Sequence, residues 1–149
     1  MSDLLRYAMY ESDKPTVPLG KEVEFMQNYI SLMNLRCNDR TKVETVFDIA
    51  SPSAPIAPLL LVSLIENAYK HGISSNRPSF IHISLIENNG SLAFLCDNSN
   101  YPKDKADNSG NGIGLANMKR RLEILYAERY SWEQSIEHDI YHIKISIKL

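Results

Sequence analysis

Two apolar segments joined by the turn sequence Asn-Asn-Gly at 88–90 constrain the fold of this chain more than any other feature. Residues 80–87 and 91–97 are predicted strands. Asn-Gly between two such segments is typical of a tight hairpin, because both residues tolerate a positive φ angle. Residues 141–149 alternate apolar with polar side chains, the pattern of an antiparallel strand with one buried face. The chain therefore needs an apolar layer that covers one face of a sheet.

The remaining periodicity predicts that helices supply this layer. Apolar residues recur every three or four positions in 20–38 and in 113–128, and the second pattern places Leu115, Met118, Leu122 and Leu125 on one helix face. Residues 58–71 are apolar along most of their length, with Pro58 in the first turn and Gly72 as the C-terminal cap. The predicted architecture is an α/β (α+β) two-layer sandwich, a mixed sheet with helices packed on one face. The other predicted elements are a strand at 42–49 and a short helix at 2–12.

Composition agrees with one compact domain. The chain has 149 residues, of which 44% are hydrophobic and 23% charged, and a net charge of −2. These values argue against disorder and against a basic nucleic-acid-binding surface. The longest apolar segment, 58–65, is far shorter than the roughly 20 residues of a membrane-spanning helix. Cys37 and Cys96 form no CxxC pair, so neither a disulfide scaffold nor a cysteine metal site is expected.

Three polar motifs interrupt the apolar pattern. They lie late in the predicted helix 58–71, at the end of the predicted strand 91–97, and just before the predicted helix 113–128. Each has a plain structural interpretation, respectively a solvated helix end, a turn cap and a flexible hinge. Each also has a functional one. Buried polar groups need partners, an acid at a strand end can accept a hydrogen bond from a ligand amine, and a helix N-terminus preceded by glycines can bind an anion. The motifs are Glu66-Asn67-Ala68-Tyr69-Lys70-His71-Gly72, Cys96-Asp97-Asn98-Ser99-Asn100 and Gly110-Asn111-Gly112-Ile113-Gly114-Leu115.

In this order the motifs resemble the N, G1 and G2 boxes of the GHKL ATP-binding superfamily, whose fold is the Bergerat fold. Further segments are similar to the LytS-type sensor histidine kinases, so that the resemblance covers essentially the whole chain. It implies a domain that binds Mg-ATP and donates the γ-phosphate to a histidine. The further segments are Leu4-Leu5-Arg6-Tyr7, Leu19-x-x-Glu22-Val23-x-Phe25-x-x-x-Tyr29-Ile30, Pro58-Leu59-Leu60 and, after the G2 glycines, Asn117-x-x-x-Arg121-Leu122-x-x-Leu125-Tyr126.

The resemblance also implies a role for each box. Asn67 is expected to ligate the Mg²⁺ that bridges the nucleotide phosphates, and Lys70 to contact a phosphate. Asp97 is expected to accept a hydrogen bond from the adenine amino group, which favours adenine over guanine. Glu66 is expected either beside the attacking nucleophile or in a solvated ion pair. His71 is expected to contact a phosphate or the ribose, or to cap the helix. The residues implied around the phosphates are Gly110, Gly112, Ile113, Gly114 and Leu115.

The resemblance further implies a domain division and partners. We expect 1–18 to be the end of an upstream dimerisation and phosphoacceptor region with its linker, and 19–149 to be the catalytic domain. The acceptor histidine is expected upstream and absent here, because the histidines outside the N box, at positions 82, 138 and 142, lie in strand patterns. The expected partners are ATP, the upstream helical domain and a response regulator, with no nucleic acid. The expected setting is a cytoplasmic domain of a membrane-bound, homodimeric parent, with the fragment itself monomeric or weakly dimeric.

The G1 motif departs from the family pattern, and this leaves two alternatives open. Ser99 and Asn100 follow the aspartate where glycines are usual, so a Cβ at Ser99 is expected to narrow the adenine pocket. One alternative is another GHKL ATPase or serine kinase, although Ser63 occupies the position of the gyrase-type glutamate. The other is a degenerate, non-catalytic nucleotide-binding or interaction module, which the altered G1 motif favours.

Overall fold

The structure is a computed structural model that describes residues 14–37, 39–73, 77–100 and 113–149, with the backbone alone for 113 and 114. The helix predicted at 2–12 lies outside the described residues. The described elements in chain order are β1 (Val17–Pro18), α1 (Leu19–Asn34), β2 (Thr41–Ile49), β3 (Pro55–Ile56), α2 (Val62–Gly72), β4 (Ser79–Asn88), β5 (Ser91–Ser99), α3 (Ile113–Tyr126), β6 (Tyr130–Glu137) and β7 (Ile140–Lys148).

The long strands form one five-stranded sheet in the order β2-β4-β5-β7-β6. β2 runs parallel to β4, and every other neighbouring pair is antiparallel. β1 and β3 pair separately as a small antiparallel ladder that ties the start of α1 to the segment before α2. The predicted mixed sheet is therefore confirmed.

One face of the sheet carries the core. Because side chains alternate along each strand, strand register assembles them into rows that cross the sheet. On β4, β5 and β7 the two central rows are almost fully buried, and Phe94 and Ile145 have no exposed surface. The rows, read from β2 to β6, are Val43-Ile81-Asn98-Tyr141-Ile136, Thr45-Ile83-Cys96-Ile143-Gln134, Phe47-Leu85-Phe94-Ile145-Trp132 and Ile49-Glu87-Leu92-Ile147-Tyr130.

The helices cover this face, as predicted, but their boundaries differ. α1 ends at Asn34 rather than at residue 38. α2 begins at Val62 rather than at Pro58, because Leu59 has a φ of 58°, which a right-handed helix cannot contain. On α3 the buried face passes through Tyr126, whereas Leu125, predicted on that face, is 42% exposed.

The predicted hairpin turn is confirmed. Asn89 and Gly90 have φ values of 53° and 82°, as a two-residue turn with both central residues left-handed requires. Glu87, buried beneath the turn, accepts hydrogen bonds from the N–H of Gly90 at 2.9 Å and the N–H of Ser51 at 2.7 Å. The Gly90 bond, with the weaker Ser51 contribution, outweighs burial and lowers the pKa of Glu87. This carboxylate therefore ties the turn to the end of β2.

We expect Glu87→Gln to flatten the acid limb of the stability curve. A pKa lowered in the folded state gives stability that is fully present above the unfolded value near 4.5 and is lost as pH falls through the folded value. The amide variant cannot titrate and so lacks this contribution. Urea unfolding across the acid range measures it, with the exposed Glu44 of β2 changed to glutamine as the control. An unchanged slope in Glu87→Gln would contradict the assignment.

Candidate active site

The second half of α2 brings two of the predicted residues to one cavity. Asn67 and His71 are four residues apart, so they lie on the same side of the helix, and both line a cavity of about 330 Å³. The amide of Asn67 makes no hydrogen bond to any described residue. Glu66 and Lys70 are exposed and do not line the cavity. Burial and then the nearby Glu66 carboxylate raise the pKa of Tyr29 on α1.

The end of β5 places the predicted base-reading residue outside this cavity. Asn98, not Asp97, lines the cavity that contains Asn67, and it is only 2% exposed. Asp97 points to the opposite face of the sheet, where its Oδ1 lies 2.7 Å from Nδ1 of His142 on β7. A single strand position separates the two residues, and adjacent side chains on a strand point to opposite faces.

The sequence contains a signal that identifies Asn98. Leu92, Phe94 and Cys96 mark the buried face of β5 at every second position, and continuing this alternation reaches Asn98. Cys96 is buried on the same face, and burial, with the neighbouring Asp97, raises the pKa of its thiol to about 12. The assignment of Asp97 rests on its resemblance to the G1 aspartate and runs against this alternation.

Ser99 does not narrow the cavity. Its hydroxyl donates to the carbonyl of Gly72 at 2.5 Å and accepts from the N–H of Phe80 at 3.1 Å, and the residue is 3% exposed. It therefore joins the end of α2 to two strands. Gly72 is the last residue of α2 and has no positive φ, so it is not the predicted left-handed cap. The end of α2 lies directly against Asn98 instead, since a Cβ added at Gly72 would come within 2.9 Å of the Asn98 Cβ.

The other walls combine apolar surface with amides. Tyr141 lies beside Asn98 in strand register, and Ile136 lies beside Tyr141. Leu115 of α3 closes another side, while Asn100 and Gln134 add polar groups. Burial raises the pKa of Tyr141, so its phenol stays neutral at physiological pH. Ile113 and Gly114 form the start of α3, whereas Gly110 and Gly112 lie outside the described residues.

Volume alone does not single out this cavity. A second of about 340 Å³ lies at the other end of the sheet near Arg129, and one of about 380 Å³ lies beside Asp97 and His142. The cavity at Asn67 differs in its chemistry. Three buried or half-buried amides, an imidazole and an aromatic ring converge on it beside the apolar side chains of Leu115 and Ile136, and ligand sites likewise combine apolar walls with convergent polar groups.

Comparisons with known proteins show what the chain is similar to. The histidine kinase family model matches residues 1–41. Sensor protein LytS of Oceanobacillus iheyensis is 28% identical over 142 residues, which cover 86% of this chain and 24% of the relative. Sensor protein kinase HptS of Staphylococcus aureus is 26% identical over 145 residues, which cover 97% of this chain and 23% of the relative. The chain is a homologue of sensor histidine kinases.

Solved structures place the fold in the same group. The histidine kinase domain of the blue-light-activated kinase from Erythrobacter litoralis has a TM-score of 0.63 at 19% identity, covering 91% of this chain and 69% of that one. The catalytic domain of histidine kinase ThkA has a TM-score of 0.53 at 14% identity, covering 89% and 94%. The predicted GHKL fold of histidine kinase catalytic domains is therefore confirmed.

The matched region is a small part of each curated relative. This histidine kinase homologue spans about a quarter of the length of LytS and of HptS. No helix in the described ranges is long and apolar enough to cross a membrane.

Proposed function

We propose that this domain is the ATP-binding catalytic domain of a sensor histidine kinase, with residues 1–18 belonging to the upstream region. It binds Mg-ATP and presents the γ-phosphate to a histidine on an upstream helical domain. The observation that carries the proposal is the convergence of Asn67 and Asn98 on one cavity within the histidine kinase catalytic fold. Phosphoryl transfer needs positioning and charge neutralisation more than covalent chemistry from the protein, and a polar cavity between a helix and a sheet suits that need.

Asn98 is the residue that reads the base. Its Nδ2 donates to the carbonyl of Ser99 at 2.8 Å, which fixes the orientation of the amide. Its Oδ1 accepts no hydrogen bond from the described residues and is free to accept one from the adenine amino group. Guanine presents a carbonyl oxygen at that position, which this oxygen would repel. Tyr141 and Leu115 supply flat and apolar surfaces for the purine ring.

Asn67 is the residue that holds the metal. No carboxylate of the described residues lines the cavity, and no group of His, Cys, Asp and Glu among them could hold a metal ion. A single amide oxygen fits Mg²⁺ that is bound mainly through phosphate oxygens and water, and such an ion neutralises phosphate charge. Lys70 and His71 lie one helical turn or less from Asn67 and supply positive charge or a hydrogen bond to the phosphates. The amides at Gly110, Gly112 and Gly114 are proposed to frame the same phosphates.

Glu66 faces outward beside this site and is exposed to an incoming nucleophile. A carboxylate there can accept a proton from, or orient, the imidazole of an acceptor histidine. The acceptor belongs to the upstream domain, and the phosphate passes from it to a response regulator. The proposed setting is the cytoplasmic side of a membrane-bound, homodimeric sensor.

We expect Asn98→Ala to weaken ATP binding about tenfold, since an unmatched buried hydrogen-bonding group costs roughly 1–3 kcal/mol. Asp97→Asn is the matched neighbour, and it should leave affinity unchanged because Asp97 faces the other side of the sheet. Calorimetric titration with Mg-ATP and Mg-GTP, with thermal melting as a folding check, measures both variants. A loss of affinity in Asp97→Asn alone would restore the aspartate as the base-reading residue. No binding of either nucleotide to the unaltered chain would favour the non-catalytic module.

A further inference from the structure

The turn that leads into α2 is held in a conformation that leucine rarely adopts. Leu59 has a φ of 58°, in the left-handed region that favours glycine. Backbone of this kind persists only where the surroundings hold it in place. The turn lies three residues before the start of α2 and eight residues before Asn67, so its conformation sets where that helix begins.

Side chains from two other helices hold this turn by its backbone. Glu22 of α1 accepts a hydrogen bond from the N–H of Leu59 at 2.6 Å and is only 2% exposed. Arg121 of α3 donates to the carbonyl of Pro58 at 3.0 Å and, more weakly, to that of Leu59 at 3.5 Å. One residue earlier, the N–H of Ala57 donates to the buried hydroxyl of Tyr126 at 2.9 Å.

These contacts connect the two helical walls of the candidate active site. Leu115 near the start of α3 lines the cavity, and Arg121 lies less than two turns further along the same helix. On the other wall, the turn continues directly into α2 and Asn67. A helix is stiff over this length, so a shift of α3 at the cavity moves its contacts with the turn.

We infer that Glu22 and Arg121 are positioning residues for the nucleotide site. By fixing the turn at 57–59, they set the position of Asn67 relative to Leu115, and they connect occupancy of the cavity to α1. The inference rests on the proposed function, because the ligand whose binding they tune is the adenine nucleotide. Nucleotide binding that stabilises the position of α3 must then also stabilise the conformation of the turn. A variant in which the turn is less firmly held must bind the nucleotide more weakly, since coupling between sites is reciprocal.

Calorimetric titration of the chain with Mg-ADP tests the inference. We expect Arg121→Ala to weaken binding about threefold to thirtyfold, the range of couplings carried by residues that do not touch the ligand. Arg121→Lys retains one donor and should restore part of the affinity. The matched controls are the exposed neighbours Arg120→Ala on α3 and Glu24→Ala on α1, which should bind as the unaltered chain does.

Amide hydrogen exchange at the turn distinguishes a positioning role of Arg121 from a purely structural one. The amides of Ala57 and Leu59 donate to Tyr126 and Glu22, so their exchange reports the contacts directly. We expect Mg-ADP to slow their exchange in the unaltered chain and in Arg120→Ala, but not in Arg121→Ala. If Arg121→Ala does not fold, Tyr126→Phe takes its place, because it keeps the shape of the side chain and removes the hydroxyl that accepts from the N–H of Ala57.

The outcomes are distinguishable. Failure of the unaltered chain to bind Mg-ADP overturns both the proposed function and this inference. Normal binding by the unaltered chain, with Arg121→Ala matching Arg120→Ala in affinity and in amide protection, overturns this inference alone. Weaker binding with loss of the nucleotide-dependent protection at Leu59 supports it.

Discussion

Replacing Asn67 by alanine is expected to abolish the magnesium dependence of ATP binding and to lower phosphotransfer by at least about two orders of magnitude. That is the size of effect seen when a group stabilising transition-state charge is removed. The amide has no partner among the described residues, so its loss breaks no hydrogen bond within that part of the chain. Alanine is also a better helix former than asparagine. The folded state should therefore be as stable as before, and the loss should be functional.

Two measurements test whether Asn67 holds the metal and supports phosphotransfer. Calorimetry with ATP in the presence of Mg²⁺ or of a chelator gives the metal dependence, and transfer of labelled phosphate to a supplied upstream helical domain gives the activity. Asn28→Ala is the matched control, an exposed asparagine in the middle of α1. If Asn67→Ala retains magnesium-dependent binding, the metal lies elsewhere. Steady ATP hydrolysis by the unaltered chain without an acceptor would favour the ATPase alternative.

The fold was predictable because its signals are local. The alternation of 141–149 and the Asn-Gly turn each depend on fewer than a dozen neighbouring residues, and both were confirmed. The order of the strands is less local. The parallel pairing of β2 with β4 joins segments on either side of α2, and the sequence indicated only that the sheet is mixed.

The site was only partly predictable, for two physical reasons. Asn67, His71 and Leu115 belong to helices that the sequence predicts, and the structure brings them together. Asp97 lies outside the cavity because a shift of one residue along a strand reverses the face, and a motif match does not show on which face of the strand a residue lies.

Long-range contacts were the second limit. Glu22 lies on the buried stripe of α1, where a charge is costly without partners, yet its partner Leu59 is 37 residues away. Ser99 was expected to narrow the pocket. Its hydroxyl instead forms a hydrogen bond to Gly72, which lies 27 residues away in the sequence. Sequence spacing carries no information about such pairs, because each depends on the packing of α2 against both α1 and the sheet.

That packing leads to a second large expected effect, at Gly72. Gly72→Ala should destabilise the domain and weaken nucleotide binding together, because the new Cβ would lie 2.9 Å from the Cβ of Asn98 and neither atom is at the end of a flexible side chain. Reduced backbone entropy of the unfolded chain favours alanine by about 0.4–1 kcal/mol. Overpacking costs about 1–3 kcal/mol. The clash should therefore dominate, and the displaced Asn98 can no longer meet the base.

Variants at Asn98 show whether its contact with the new Cβ causes the loss of stability in Gly72→Ala. Asn98→Gly removes the Cβ that the new methyl group meets, whereas Asn98→Ala retains it. A double-mutant cycle by urea unfolding should therefore give a favourable coupling for Gly72→Ala with Asn98→Gly and little coupling with Asn98→Ala. Equal coupling in the two cycles would mean that Gly72 is required for another reason. Nucleotide affinity should not recover in either double variant, because both lack the Asn98 amide. The loss of stability can then be assigned to the Cβ contact at Gly72, and the loss of binding to the Asn98 amide.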